Sequence, residues 1–300
     1  MLFSEYPSKL RKLISLAKVI YLPAVIFFIA YLSWNNRTII LDIFRHIDFT
    51  YLSICVLIWF FLHCLSPLFT TISFRQLGIS LSYKDAYFIH ITYLPAKYLP
   101  GGIWHTVARG QMYCNHDIPK EKVFAYLLHE NLLIAAVTLT LGGFIVGLFS
   151  ENISVRYLAF CLSVFSFAIL IAWPVIRKRF LRKQFEDVGI HHYVNCILVI
   201  SLYWIIASVS FVIFLDIFPS IDSLCHSIFT AGTYIFSWGV GFIAVFAPQG
   251  FGISESVAAG LLCITVAPAA LIVFLSSFRI IVLFADLLAW ATSKCIPLRK

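Results

Sequence analysis

Long apolar segments separated by short polar ones dominate the chain. Six of them approach or exceed the length of a membrane-spanning helix, which is about 20 residues. They lie at about 19–34, 49–72, 123–149, 156–176, 194–215 and 270–291. Two further apolar regions, 86–116 and 225–267, are interrupted by proline, glycine and charged residues. The pattern predicts an all-α, polytopic membrane protein with two regions that are not simple spans.

Composition supports the same class of protein. Of the 300 residues, 61% are hydrophobic and only 12% are charged. Soluble domains carry about 25% charged residues, so we expect an integral membrane protein. The longest polar stretch, 177–192, is too short for a separate catalytic domain. We therefore treat residues 1–300 as a single transmembrane domain.

Lysine and arginine are distributed unevenly between the two sides of the membrane. If the N-terminus is cytoplasmic, 16 of the 22 basic residues fall on that side, and only Arg37, Arg45 and Arg156 fall on the other. The positive-inside rule then predicts that both termini are cytoplasmic. The net charge of +8 reflects this orientation and the anionic headgroups, and no nucleic-acid partner is expected.

The number of crossings constrains the two interrupted regions. Region 86–116 must leave and return on the cytoplasmic side, and region 225–267 on the outer side. We expect each to form a re-entrant helical hairpin, although the longer outer region also fits two full spans. Residues 49–149 and 194–291 then form an inverted-topology repeat. In transporters, such repeats place the substrate site near the bilayer midplane.

Each interrupted region contains a proline followed by two glycines. They are Pro100, Gly101 and Gly102 in "LPGGIW", and Pro248, Gly250 and Gly252 in "APQGFG". Proline ends the preceding helix and glycine permits a tight reversal. Irregular backbone inside a membrane must be buried in protein or line a polar cavity. The alternative is that both motifs are interfacial turns between ordinary spans.

Histidines aside, six acidic or basic residues lie in the interior of the apolar segments. They are Lys97, Arg109, Glu130, Glu255, Arg279 and Asp286. A charge at this depth costs several kcal/mol unless it is paired or hydrated. We expect Arg109 to pair with Glu130 in the first half, and Glu255 with Arg279 in the second. His105 precedes Arg109 by four residues and should share its helix face.

Two interpretations of these pairs are open. The arginines either line a midplane cavity and receive a phosphate through their bidentate geometry, or they form salt bridges that only fix helix packing. Asp286, near Trp290, is expected to anchor the interface, and Lys97 to extend to the headgroups. The nine histidines and eight cysteines show no metal-binding spacing, and no catalytic motif occurs. We therefore expect no metal and no cofactor, and the pattern favours a transporter-like protein over an enzyme.

The same residues resemble those of a known family. The stretch "YLPGGIW" with Arg109, then Glu130, "PQGFGISE" and Arg279 resemble the lysylphosphatidylglycerol synthase transmembrane-region family of flippase-like membrane proteins. The resemblance covers about residues 15–295. It implicates Pro100, Gly101, Arg109, Glu130, Pro248, Gly250, Gly252, Glu255 and Arg279. Asn131 stands where an arginine often follows the glutamate, and Gln249 replaces the first glycine of Pro-Gly-Gly.

The resemblance implies a lipid translocase of the bacterial inner membrane. Arg109 and Arg279 would hold the headgroup of an anionic phospholipid or a polyprenyl-phosphate lipid, while Glu130 and Glu255 set the electrostatics of the site. The sequence shows no soluble aminoacyl-transfer domain, so lysylphosphatidylglycerol synthesis is not expected. Two other hypotheses are a non-transporting subunit that assists a glycosyltransferase or lipid-modifying enzyme, and an intramembrane enzyme acting on a lipid-linked sugar.

Overall fold

The regular structure of the chain is helical. The computed structural model describes residues 48–98, 104–186, 189–216, 227–244, 247–262 and 268–294, with scattered helical residues between 27 and 41. No strand occurs in these ranges, which confirms the predicted all-α class. Most of the predicted span 19–34 lies outside the described residues, and so do Pro100, Gly101 and Gly102.

The helices are numbered here in chain order within the described ranges. They are α1 (Phe49–Leu62), α2 (Leu65–Arg75), α3 (Tyr83–Thr92), α4 (Trp104–Asn115), α5 (Lys120–Phe149), α6 (Ile153–Phe180), α7 (Ile190–Asp216), α8 (Ser227–Ile243), α9 (Ile253–Leu261) and α10 (Pro268–Thr292). Short 3₁₀ helices at Leu94–Tyr98 and Pro248–Gly250 lie before α4 and α9, respectively.

Five helical segments in the described part are long and apolar enough to cross a membrane. They are Phe49–Arg75 (α1 with α2), α5, α6, α7 and Leu271–Thr292 of α10. These segments coincide with five of the six predicted spans and extend a few residues beyond most of them. These extensions are mostly polar. Hydropathy detects only the part of a helix that lies in the hydrocarbon layer, and the helices continue beyond it. This architecture supports a multi-pass membrane protein.

The first of these segments is broken near its middle, although the sequence predicted a continuous span. His63 and Cys64 separate α1 from α2. Pro67 explains the break, because its ring clashes with the carbonyl of His63 and it has no N–H to bond there. The Cys64 carbonyl accepts a hydrogen bond from the Tyr83 hydroxyl at 2.9 Å. The break leaves His63 only 2% exposed, inside the protein.

Within the described ranges, each of the two interrupted regions contains short helices rather than one continuous span. In the second region, Gln249, Gly250 and Gly252 have φ angles of 53°, 66° and 86°. A Cβ on Gly250 would come within 2.7 Å of the carbonyl carbon of Gly241 in α8. Only glycine combines this backbone conformation with so close a contact. Glycine at positions 250 and 252 therefore suits the positive φ angles between α8 and α9.

Helix α5 is the centre of the bundle and packs along α6 and α8. Its glycines allow close approach, since a Cβ on Gly142 would lie 2.3 Å from the backbone nitrogen of Phe236. Small residues at helix contacts are typical of membrane proteins. Large apolar side chains cover the outer faces, with Phe165 66% exposed and Val175 70% exposed. Such a surface is suited to contact with lipid.

Candidate functional site

A cavity of about 270 Å³ lies within the helical bundle. One part of its wall carries ionisable side chains from both interrupted regions and from the spans around them. They are His63, His90, Lys97, His105, Arg109, Glu130, Glu255 and Arg279. Aromatic side chains also line the cavity and include Trp204 and Trp238, whose ring centroids are 4.0 Å apart. The structure thus brings all five predicted binding residues to one cavity.

Arg109 and Glu130 form a buried, two-bond ion pair. Arg109 Nη1 donates to Glu130 Oε1 at 3.0 Å, and Nη2 donates to Oε2 at 2.5 Å. The Tyr126 hydroxyl donates to Oε1 at 2.8 Å and lies 3.0 Å from the Thr70 hydroxyl. Arg109 Nε, by contrast, has no hydrogen-bond partner among the described residues. The carboxylate is therefore well satisfied, while the guanidinium keeps a free donor.

Arg279 and Glu255 form the second pair. Arg279 Nε donates to Glu255 Oε1, and Nη2 donates to the Ser254 hydroxyl at 2.5 Å. Nη1 donates to the Gln249 carbonyl at 3.0 Å, so the arginine holds the irregular turn. Glu255 Oε2 also accepts from the Gly252 backbone N–H at 2.6 Å. An acidic residue in the first turn of α9 is favoured by the helix dipole as well.

A third ion pair, which the sequence analysis did not predict, involves Asp286. Lys97 Nζ lies 2.5 Å from Asp286 Oδ2, and the Tyr98 hydroxyl donates to the same oxygen. His63 Nε2 lies 3.0 Å from Oδ1. Asp286 is only 1% exposed, so the interfacial anchoring role expected for it is wrong. Lys97 likewise turns to this carboxylate rather than to the headgroups.

Three histidines continue from Asp286 along the cavity wall. His63 Nδ1 lies 3.1 Å from His90 Nε2, and the rings of His90 and His105 are 6.1 Å apart. His90 Nδ1 and His105 Nε2 are buried and have no hydrogen-bond partner in the described part of the chain. No group of three or more histidine, cysteine or acidic side chains in that part is arranged to hold a metal ion.

The sequence analysis did not predict the contacts of Asp286 and of the histidines, because their partners come from distant elements. Only Pro67 gave a signal, because it marks the helix break that directs His63 inward. Of the two proline–glycine motifs, the structure describes the one that contains Gly250 and Gly252, whereas Pro100, Gly101 and Gly102 lie outside the described residues. The Pro248 backbone lies at the start of the second 3₁₀ helix.

The fold and the cavity define a helical, multi-pass membrane protein with charged residues at its centre. No protein-family model matches the chain, and no curated protein matches it. The resemblance stated above therefore rests on its motif residues.

Proposed function

We propose that the chain is a flippase-like lipid translocase of the bacterial inner membrane. Its substrate is an anionic phospholipid or a polyprenyl-phosphate-linked lipid, whose headgroup enters the central cavity. One observation carries this proposal: Arg109 and Arg279, from opposite halves of the chain, line the same cavity. Guanidinium groups bind phosphate through paired hydrogen bonds, so two of them form a suitable receptor for a phosphate-bearing headgroup.

The size of the cavity fits a headgroup better than a whole lipid. Its volume of about 270 Å³ lies just below the range of about 300–1,000 Å³ that is common for small-molecule sites. The acyl chains would then stay in the surrounding bilayer while the headgroup crosses. Arg279 is the more accessible of the two arginines, since its side chain is 23% exposed and that of Arg109 is 5% exposed. Arg109 would bind a phosphate by exchanging a hydrogen bond that it now donates to Glu130.

The proposed transport cycle depends on an inverted-topology repeat. Its halves are residues 49–149 and 194–291, each with one re-entrant hairpin, in a chain with cytoplasmic termini. The positions of the ion pairs support this arrangement, since each half contributes one arginine and one glutamate to the shared cavity. Alternating movement of the hairpins would expose the cavity first to one side of the membrane and then to the other.

Transport is tested with purified protein in proteoliposomes that contain fluorescent phosphatidylglycerol. Arg109→Ala and Arg279→Ala should each slow headgroup translocation about tenfold or more, because a charged hydrogen bond contributes about 1.5–3 kcal/mol. Arg156→Ala is the matched control, since Arg156 bonds the Ser150 carbonyl at 3.1 Å and does not line the cavity. Wild-type rates in both cavity variants would overturn the site assignment.

The closed geometry of Arg109 and Glu130 favours a second candidate function. Two hydrogen bonds join their charged groups, as in a salt bridge that fixes packing. The chain would then be a non-transporting subunit beside a glycosyltransferase or lipid-modifying enzyme. Absence of translocation by the pure protein, together with co-purification of such an enzyme, would favour this alternative.

A further inference from the structure

The charges of the cavity are balanced before any ligand enters. Each charged side chain that lines the cavity, or bonds to a lining residue, belongs to one of three described pairs. The pairs are Arg109–Glu130, Lys97–Asp286 and Arg279–Glu255. With neutral histidines the described charges of the site sum to zero. An entering anionic headgroup therefore brings an uncompensated negative charge into a buried site, which is unfavourable.

The contacts that extend from Asp286 favour one arrangement of protons on two histidines. His63 Nε2 lies 3.0 Å from Asp286 Oδ1 but outside hydrogen-bond alignment, and a proton on Nε2 is attracted to this carboxylate whereas a lone pair there would be repelled. His63 Nδ1 is then the acceptor, and His90 Nε2, at 3.1 Å, must donate to it. His90 Nδ1 is left with a free lone pair. This nitrogen is buried, and has no hydrogen-bond partner within the described ranges.

Burial is the main factor that disfavours a positive charge on His90, and the neighbouring cations add to this effect. Lys97 lies beside Asp286 and acts on both histidines, whereas Arg109 and His105 of α4 face His90. The hydroxyl of Tyr98 bonds Asp286, and Tyr203 of α7 also lies near this carboxylate. The cations oppose a further positive charge at His90. A bound phosphate would offset them and favour that charge.

We propose that the cavity binds an anionic headgroup together with one proton, which the His63–His90 pair takes up at His90 Nδ1. This inference rests on the proposed function, because it requires the anion to enter the cavity. The proton comes from the aqueous phase, and leaves when the headgroup leaves. Headgroup transport would thereby be coupled to proton movement in the same direction.

The two cavity glutamates are less suited to carry this proton. Glu130 is held by both terminal nitrogens of Arg109 and by Tyr126, and Glu255 is held by Arg279 and the N–H of Gly252. Protonation of either carboxylate would break a buried ion pair. The free lone pair of His90, in contrast, accepts a proton without breaking any described contact.

Calorimetry on the purified full-length protein tests the inference without requiring transport. Dihexanoyl phosphatidylglycerol is titrated into protein in two buffers that differ in ionisation enthalpy. Dihexanoyl phosphatidylcholine and glycerol phosphate are the comparison probes. For the wild type, we expect about one proton taken up per bound phosphatidylglycerol, and an affinity that falls by up to about tenfold per pH unit as the pH rises.

The variants assign the proton to its site. His90→Gln should remove the proton uptake, because glutamine keeps hydrogen bonding but does not ionise, whereas His63→Gln should retain it, because the glutamine carbonyl can still accept from His90 Nε2. His191→Gln, on an exposed histidine outside the cavity, should leave it unchanged. Thermal unfolding of each variant confirms that it is folded. If only one of the two cavity variants folds, that variant decides.

Each result has a distinct meaning. Phosphatidylglycerol binding without proton uptake overturns this inference and leaves the proposed function intact. Proton uptake that persists in the folded His90→Gln variant, or is lost in the folded His63→Gln variant, overturns the assignment to His90 Nδ1. Proton-coupled binding of glycerol phosphate, but not of the lipid, supports the coupling and contradicts a lipid substrate. A wild type that binds none of the probes overturns both proposals.

Discussion

Arg109 and Glu130, on the successive helices α4 and α5, join their charged groups through two hydrogen bonds of 3.0 and 2.5 Å. Both residues are buried, with 4% and 6% exposure. Removing one member leaves an unpaired buried charge, whereas removing both leaves none. This relationship makes it possible to separate the contribution of the pair to packing from its contribution to transport.

Arg109→Met alone should lower the free energy of unfolding by about 3–5 kcal/mol, because Glu130 remains buried and unpaired. Arg109→Met combined with Glu130→Leu should recover most of this loss and still abolish lipid translocation. Unfolding in detergent and transport in proteoliposomes measure the two effects. A stable double variant that transports normally would show that the pair serves packing alone.

Gly250→Ala should destabilise the protein by about 1–3 kcal/mol. The substitution strains a left-handed backbone and places a methyl group 2.7 Å from the Gly241 carbonyl carbon. Gly260→Ala is the matched control, because a Cβ there meets nothing within 4 Å and alanine favours the helix. We expect a lower Tm for the first variant and an unchanged or higher Tm for the second. Equal Tm values would contradict the described turn.

Asp286→Asn should cost about 2–4 kcal/mol of unfolding free energy, because it removes the charge that Lys97 faces inside the protein. Asp216→Asn provides the comparison, since Asp216 is exposed at the end of α7. That change should alter stability by less than about 0.5 kcal/mol. Chemical unfolding of both variants at pH 7 gives the difference. Similar values would place Asp286 at an exposed position.

The proposed orientation predicts which residues are reached from each side of the membrane. Glu151 and Lys183 are exposed beyond opposite ends of the α6 region. Glu151→Cys should react with an impermeant maleimide in intact cells, and Lys183→Cys only after the membrane is opened. The unsubstituted protein controls for its native cysteines. The reverse labelling pattern would contradict cytoplasmic termini.

Much of the helical architecture could be predicted, because hydropathy and helix length are local properties of the sequence. The two Arg–Glu pairs could also be predicted from the sequence, since buried charges of opposite sign require partners. The contacts of Asp286 could not be predicted in this way. Asp286 lies about 9 Å from the end of α10 at Thr292, at 1.5 Å per residue, and this depth fits an interfacial anchor as well as a buried ion pair.

The contacts of Asp286 depend on how separate elements dock. Lys97 and Tyr98 come from a 3₁₀ turn, and His63 comes from a break in another helix. No local pattern specifies that these three elements meet. Pro67 indicates where α1 ends, but tertiary packing determines which side chains meet at this break.

The complete pairing of charges around the cavity has a consequence for how a ligand is selected. Because these six charges cancel, the whole net charge of +8 lies on other parts of the chain. Long-range attraction would therefore concentrate anionic lipids around the protein without drawing them into its centre. Salt in the surrounding solution would weaken the attraction of lipids to the protein, but it would hardly change the electrostatics inside the cavity. Accumulation of anionic lipids around the protein and entry of a headgroup into the cavity would then be separate steps, each controlled by different charges.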